Sequence, residues 1–292
     1  MTVRIVCVGL ATVDLVHRVE KIPRVDEKAE AAALEIAAGG PATNAAVTAA
    51  ALGADVILVT AVGSHPLGGL IRADLEAHRV ALLDAAPYAA EPPALSAVTV
   101  QAGTGQRTIV SRNAADLHAT VPVAFGRLVA SADVVLVDGH HPALALAAAR
   151  SGRPLVVDAG TWRPALAQVL PHATVVACSA RFRVPGANSR TAMAASIRGA
   201  GVRRVAVTDG PEPVRWWSDK DSGRLPVPRQ RAIDTSGAGD VFHGALAVAV
   251  GRDPRVPDFP LALEYAVGVA GIRVRHPGPR AWLSDPELRH FR

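Results

Sequence analysis

The sequence predicts an α/β fold with a mostly parallel sheet covered by helices on both faces, and three observations support that. Short Val/Ile/Leu runs alternate with Ala/Leu-rich stretches along most of the chain. The runs are continuously apolar rather than alternating, as strands buried on both faces are. Half of the residues are hydrophobic but only 4% are aromatic, so the core must be assembled mainly from Ala, Val and Leu. At 292 residues the chain suits one large α/β unit whose core needs no staples.

The elements follow in order. VRIVCVGL (3–10) reads as the first strand and ATNAAVTAAALGA (42–54) as a helix that Gly53 can end. DVILVTAVG (55–63) is the next strand, followed by a helix over LGGLIRADLEAHR (67–79). ADVVLVDG (132–139), RPLVVDAG (153–160), ATVVACS (173–179) and VRRVAVTDG (202–210) read as further strands, with a helix over PALALAAARSG (142–152). Two C-terminal helices centre on 237–250 and 259–274. Residues 14–38 and 95–113 break this rhythm, the second as a hairpin turning at Gly103–Gly105. Both predict strands outside the main sheet, a flap over its edge. With no linker, repeat or low-complexity tail, 1–292 reads as a single domain carrying this β appendage.

Composition excludes several functions. Cys7 and Cys178 sit alone in apolar runs and make neither a disulfide framework nor a metal site, which fits a reducing cytoplasm. The N-terminus lacks a signal-peptide pattern, and no unbroken apolar stretch reaches the ~18 residues that span a bilayer. The formal charge of +5 comes from scattered arginines without a basic stripe or stacking aromatics, so nucleic acid is not the expected partner. A small anionic ligand suits the same excess.

Chemistry concentrates where ligands of open α/β sheets bind, at the carboxyl ends of strands. In AIDTSGAGDVFHGALAVAV (232–250), Gly237, Ala238 and Gly239 let a ligand approach the backbone, and the helix that follows offers unpaired amides to an anion. Asp240 at the head of that helix can take a proton from a hydroxyl beside the anion pocket. The same residues also suit a simple glycine turn with a capping acid. AAGGPATNAAV (37–47) is a second backbone-approach turn, with Pro41 near the first helical position and Asn44 in the first turn. Asp14, Asp138 and Asp158 lie at other strand ends. No G-x-G-x-x-G follows the first strand, where Gly9 stands alone, and no P-loop is present, which counts against a dinucleotide oxidoreductase and a Walker-type NTPase.

GGPATNAA near the first helix and DTSGAGDVFHGAL near the C-terminus, in that order, resemble the two signatures of the ribokinase-like (PfkB) carbohydrate kinase family. The resemblance covers nearly the whole chain and implies a three-layer αβα sandwich with a small β-sheet lid formed by the two flap segments. It implies ATP-dependent phosphorylation of a hydroxyl, primary by expectation, on a ribose- or ketohexose-like sugar, with Mg²⁺ and with a monovalent cation such as K⁺ left open. Asp240 is the implied catalytic base, and Gly237, Ala238 and Gly239 the implied anion hole. Asp14, Gly40 and Asn44 are implied to hold sugar hydroxyls. Asp234 and Thr235 are implied to lie by the triphosphate, and Thr208 and Gly210 where the nucleotide pocket begins. EYAVGVAGIRVRHPG (264–278) matches the segments flanking adenine.

The chain departs from the family in two places. The Asn-x-x-Glu of most relatives is replaced by CSARFRVPG (178–186), a pattern nearer the ketohexokinase-like branch, where Arg181 or Arg183 is a candidate source of positive charge. VVDAGTWRPAL (156–166) is one residue longer than the family's Asp-x-Asn-x-Arg-Pro stretch, which leaves Asp158 and Arg163 as phosphate- or metal-side candidates. His140 and His141 read as a loop facing the cleft, Trp216 and Trp217 as strand packing, and the tail RVRHPGPRAWL (273–283) as a solvated surface. A nucleoside as acceptor and a catalytically weak ligand-binding or regulatory homologue stay open. A homodimer pairing lids edge to edge is also expected, since exposed strand edges seek partners.

Overall fold

The structure, a computed structural model, describes residues 2–112, 117–256 and 258–292. Asn113, at the end of the second predicted flap segment, lies outside the described residues.

In chain order the strands and helices are β1 (Arg4–Val8), β2 (Thr12–Val19), β3 (Ala33–Gly39), α1 (Pro41–Ala51), β4 (Asp55–Thr60), α2 (Gly68–Ala77), β5 (Val80–Asp84), β6 (Ala94–Gln101) and β7 (Arg107–Arg112). Then come α3 (Phe125–Ala130), β8 (Val134–Val137), α4 (Pro142–Ala149), β9 (Leu155–Ala159), α5 (Leu166–Val169), β10 (Val175–Ser179), α6 (Arg190–Gly199) and β11 (Arg204–Asp209). The chain ends with β12 (Glu212–Trp217), β13 (Ser222–Leu225), α7 (Ala238–Arg252) and α8 (Phe259–Val274), followed by short 3₁₀ turns.

The main sheet has the order β13-β12-β11-β10-β9-β8-β1-β4-β5. All pairs from β5 to β11 are parallel, and β12–β13 is an antiparallel hairpin added at one edge. Successive side chains of a strand leave opposite faces, and β1 shows the result. Ile5 and Cys7 join the cluster under α1, α2, α7 and α8, while Val6 and Val8 join the one under α3 to α6. This is the expected three-layer sandwich. Cys7 and Cys178 are buried free thiols in β1 and β10. No helix among the described residues is long and apolar enough to cross a membrane.

A second sheet of four strands, β3-β2-β6-β7, stands apart from the first. Its strands come from the two segments that break the helix–strand rhythm. The predicted hairpin is β6–β7, and Gly103 and Gly105 in its turn both have positive φ. Trp216 meets Phe259 edge-on at 6.3 Å, the packing role expected of it.

Helices α1 and α7 meet through Gly244. A Cβ there would stand 2.4 Å from Ala45 O and 2.9 Å from Ala45 Cα, so a side chain is sterically excluded. This close approach sets the separation of Asn44 on α1 from Asp240 on α7. Gly244→Ala is expected to lower Tm. Overpacking a tight contact costs about 1–3 kcal/mol, and the ~1 kcal/mol that Ala gains over Gly in a helix offsets only part of it. Thermal unfolding followed by circular dichroism checks this, and an unchanged or raised Tm would contradict it.

Candidate active site

A cavity of about 440 Å³ lies between the carboxyl ends of the main-sheet strands and the second sheet. Its walls include Asp14, Gly40, Asn44, Asp138, Asp158, Asp234, Gly237 and Asp240, so residues distant in the chain converge there.

Asp138 builds the floor. Its carboxylate accepts from the amides of Leu10 (2.8 Å), Ala42 (3.2 Å) and His140 (2.9 Å), tying the loops after β1 and β8 to the head of α1. Burial alone would raise its pKa. His140 and these amide donors more than offset that, and hold the carboxyl well below the usual range. Gly9 is required by this arrangement, since its Cβ would collide with the Asp138 carboxylate. Gly40 precedes α1 with φ of 95°, and a Cβ there would lie 2.4 Å from Leu10 O. Only glycine fits both constraints.

Asn44, one turn into α1, donates from Nδ2 to Asp240 Oδ2 at 2.8 Å. Its Oδ1 accepts from Arg280 Nη1 at 3.1 Å, and Arg280 Nη2 in turn donates to Asp74 Oδ2 on α2 at 2.8 Å. A guanidinium only donates, so the Asn44 oxygen faces Arg280 and its NH₂ faces Asp240. Asp240 is therefore held as a hydrogen-bond acceptor at one oxygen. Its pKa is pushed up to about 6, first by the protein packed around it and then by the Asp158 charge. A carboxyl in that range can accept a proton near neutral pH. Asp158 is pushed up to about 7 by burial and by Asp138.

Gly237 caps α7 in the left-handed region, φ 70°, with no side chain making a capping hydrogen bond, although the Ala238 amide turns back to Thr235 O at 3.3 Å. The first amides of α7 have no partner within the helix and carry its positive end, so the turn can receive an anion. Asp234 fixes the approach to it. Only 3% exposed, it accepts from the amides of Ser236 (2.9 Å) and Gly278 (3.0 Å), with Arg273 at 3.5 Å and Arg18 at 3.6 Å. Across the cavity, Asp14 on β2 accepts from Thr12 Oγ1 at 2.5 Å. Burial raises its pKa despite that bond.

Not every predicted residue reaches the cavity. Thr208 donates to Cys178 O at 3.4 Å near the end of β11, Gly210 follows in the β11–β12 turn with φ 56°, and neither is in the cavity wall. Arg181 and Arg183 are exposed, and Arg183 donates to the carbonyls of Ala180 and Phe182, so neither brings charge to the site. Arg163 is in the wall and bonds His140 Nε2 at 2.5 Å. His140 faces the cavity as expected, while His141 is buried away from it.

The Arg-rich tail corrects its sequence reading as a solvated surface. Arg273 is 2% exposed, and Arg280 lines the cavity and orients Asn44. Spacing alone hides this, because the chain after α8 folds back over the head of α7. Arg107 on β7 and His243 on α7 also went unassigned in the sequence. Among the described residues no group of three or more His, Cys, Asp or Glu side chains is placed to hold a metal ion.

Comparison with known proteins agrees with this architecture. The family model for pfkB family carbohydrate kinases matches residues 3–286. Ribokinase of Bacillus subtilis is 25% identical over 280 residues, covering 93% of each chain. Deoxyribokinase of Salmonella typhi is 24% identical over 306 aligned positions, covering 98% of this chain and 97% of its own. A crystal structure from Agrobacterium tumefaciens, provisionally assigned as a ribokinase, superposes with a TM-score of 0.87 at 26% identity, covering 100% of this chain and 96% of that one. Arabidopsis thaliana ribokinase complexed with ribose and ATP shares the fold, with a TM-score of 0.75 at 21% identity and coverage of 100% and 98%. The protein is thus a phosphotransferase by class. It belongs to the PfkB family and is a carbohydrate kinase.

The raised pKa of Asp240 has a measurable cost. Its folded value of about 6 exceeds the ordinary carboxyl value near 3.8, so the folded state binds the proton more tightly. Stability is lost as pH rises from about 4 to about 6, and the penalty is complete above that. Asp240→Asn keeps an acceptor oxygen for Asn44 and removes the charge. It is expected to stabilise the free protein above pH 6 by an amount of order 1 kcal/mol, with the gain fading towards pH 4. Tm measured across that range checks the sign.

Proposed function

We propose that this protein transfers the γ-phosphoryl group of ATP to a primary hydroxyl of a ribose- or ketohexose-like sugar, with Asp240 as general base. The observation that carries the reading is the Asn44–Asp240 hydrogen bond beside the Gly237 turn, inside a cavity covered by the second sheet. An oriented carboxylate beside an uncapped helix head provides a proton acceptor and an anion pocket within one turn of the same helix. The names of the relatives, and the ribose and ATP held by the Arabidopsis enzyme, support the ligands.

In this reading Asp14, Gly40 and Asn44 bind the sugar, aided by the Ser96–Ser111 hydroxyl pair at 3.0 Å. Asp240 takes the hydroxyl proton as the acceptor oxygen bonds to the γ-phosphorus. The bond to the bridging oxygen breaks and leaves its electron pair on ADP. Amides of Gly237, Ala238 and Gly239 face the charge that develops on the transferred group. Mg²⁺ carried by the nucleotide supplies further neutralisation of the phosphates. Asp234 and Thr235 flank the triphosphate, and Thr208 and Gly210 begin the nucleotide pocket beyond the cavity. The two sheets form one kinase domain in which the second sheet is the lid, closing to exclude water so that ATP is not hydrolysed.

A coupled ADP-release assay over ribose, fructose, 2-keto-3-deoxygluconate and adenosine tests the reading and separates a sugar from a nucleoside acceptor. Asp240→Ala is expected to lower kcat by ~10²-fold or more, and near-normal turnover would rule out the general-base role. In the wild type, kcat/KM should fall as pH drops below about 6, because protonated Asp240 cannot accept a proton.

We also propose a homodimer through the lid. Leu34 and Ile36 on β3 and Val110 on β7 are half or more exposed at its edge strands, and such edges favour pairing. Light scattering behind gel filtration should give twice the chain mass; a monomer at working concentration would refute the pairing.

A further inference from the structure

The cavity face of the second sheet is ordered by strand register. Asp14 aligns with Ser96 and Ser96 with Ser111; Val16 aligns with Val98 and Val98 with Ile109; Arg18 aligns with Val100 and Val100 with Arg107. Aligned residues leave the same face of a sheet. The face thus carries a polar row, an apolar row and a cationic row. From Asp14 to Arg18 is four residues, about 13 Å along the strand.

The cationic row lies over the lead-in to α7. Arg107 Nη1 donates to Ser236 Oγ at 3.1 Å and to Thr235 Oγ1 at 3.4 Å. The hairpin tip rests on the same segment, since a Cβ added at Gly105 would touch Ile233 O at 3.5 Å. The two arginines of the row are satisfied differently. Arg18 has carboxylates, Glu35 at 3.5 Å and Asp234 at 3.6 Å. Arg107 has only the two hydroxyls, with no carboxylate partner among the described residues, and it lines the cavity with Ser236, Gly237 and Asp240. A guanidinium fork has five donors and matches phosphate oxygens. Hydroxyls leave most of that capacity unused.

We propose that Arg107 is a catalytic residue, delivered by the lid to the transferring phosphoryl group opposite the Gly237–Gly239 amides. This rests on the kinase reading above. The sugar contacts the polar row at one end of the sheet, and the cation reaches the phosphoryl group at the other. Lid closure and charge stabilisation are then one event. Arg107 takes no proton; the acceptor oxygen–phosphorus bond forms, the bridging bond breaks toward ADP, and Asp240 receives the hydroxyl proton.

The test compares Arg107→Ala and Arg107→Lys with the wild type. Arg107 is exposed, so both variants should melt like the wild type. Arg107→Ala is expected to lower kcat by about 10²–10³-fold with the acceptor KM changed only a few-fold, and Lys to recover part of the loss as a point charge. Titration calorimetry gives a second readout. The wild type with sugar should bind ADP with fluoroaluminate more tightly than ADP alone, and Arg107→Ala should lose that difference while keeping its affinity for ADP. Wild-type kcat and an intact fluoroaluminate gain in Arg107→Ala would overturn the inference while leaving the kinase reading standing. A raised KM for ATP with unchanged kcat would also overturn it, showing ground-state binding only. A wild type that turns over no sugar, sugar acid or nucleoside defeats the kinase reading and this inference together.

Discussion

The site depends on a guanidinium that can only donate. Arg280, anchored by Asp74 on α2, faces Asn44 and so turns the amide's oxygen toward itself. The NH₂ is left for Asp240, and the carboxylate is held as an acceptor at one oxygen, the other having no hydrogen-bond partner among the described residues. Reversing the amide would set two donors against each other and two acceptors against each other, both buried at some cost. Three helices and the segment after α8 are thereby fixed by one chain of hydrogen bonds. The missing side chain at Gly244 lets α7 come close enough to α1 for the chain to close.

The carboxylates around the cavity are treated differently by their surroundings. Asp138 is surrounded by amide donors and ionises readily, and Asp234 is fastened by amides and two arginines. Both use their charge to hold backbone in place. Asp240 and Asp158 lack such compensation, and their pKa values rise. The poorly compensated carboxyls are the ones whose proton affinity lies nearest neutral pH, and perturbation of that kind clusters at functional sites.

The second sheet divides its labour by strand register. A polar row with Asp14 faces one end of the cavity and a cationic row faces the α7 head, with an apolar row between them. Alternation along a strand sorts side chains between faces, but which face looks inward depends on how this sheet docks on the main one. The DTSGAGD turn (234–240) carries no such information, and neither does the chain near Arg107, whose six-residue strand is exposed throughout.

Much of the fold was legible in the sequence because continuous apolar runs such as VRIVCVGL can be buried only between two helical layers, and because Gly/Ala-rich turns mark where strands meet helices. Short elements were harder. VALLD (80–84) becomes β5 with no periodic signal of its own, and α6 begins at a Ser189 cap amid polar residues. In the site, glycines and acids at strand ends pointed to Gly40, Asn44, Gly237 and Asp240, since local backbone demands are written in local sequence. Arg280, Arg273 and Arg107 were not legible, because a long cation reads alike on a surface and in a cleft until its partner is known. By itself the sequence determined the layered sheet, the two glycine turns and the acid beside one of them. Only the tertiary structure decided which distant cations orient that acid and cover that turn, because those pairings join residues more than a hundred positions apart through contacts that no local pattern encodes.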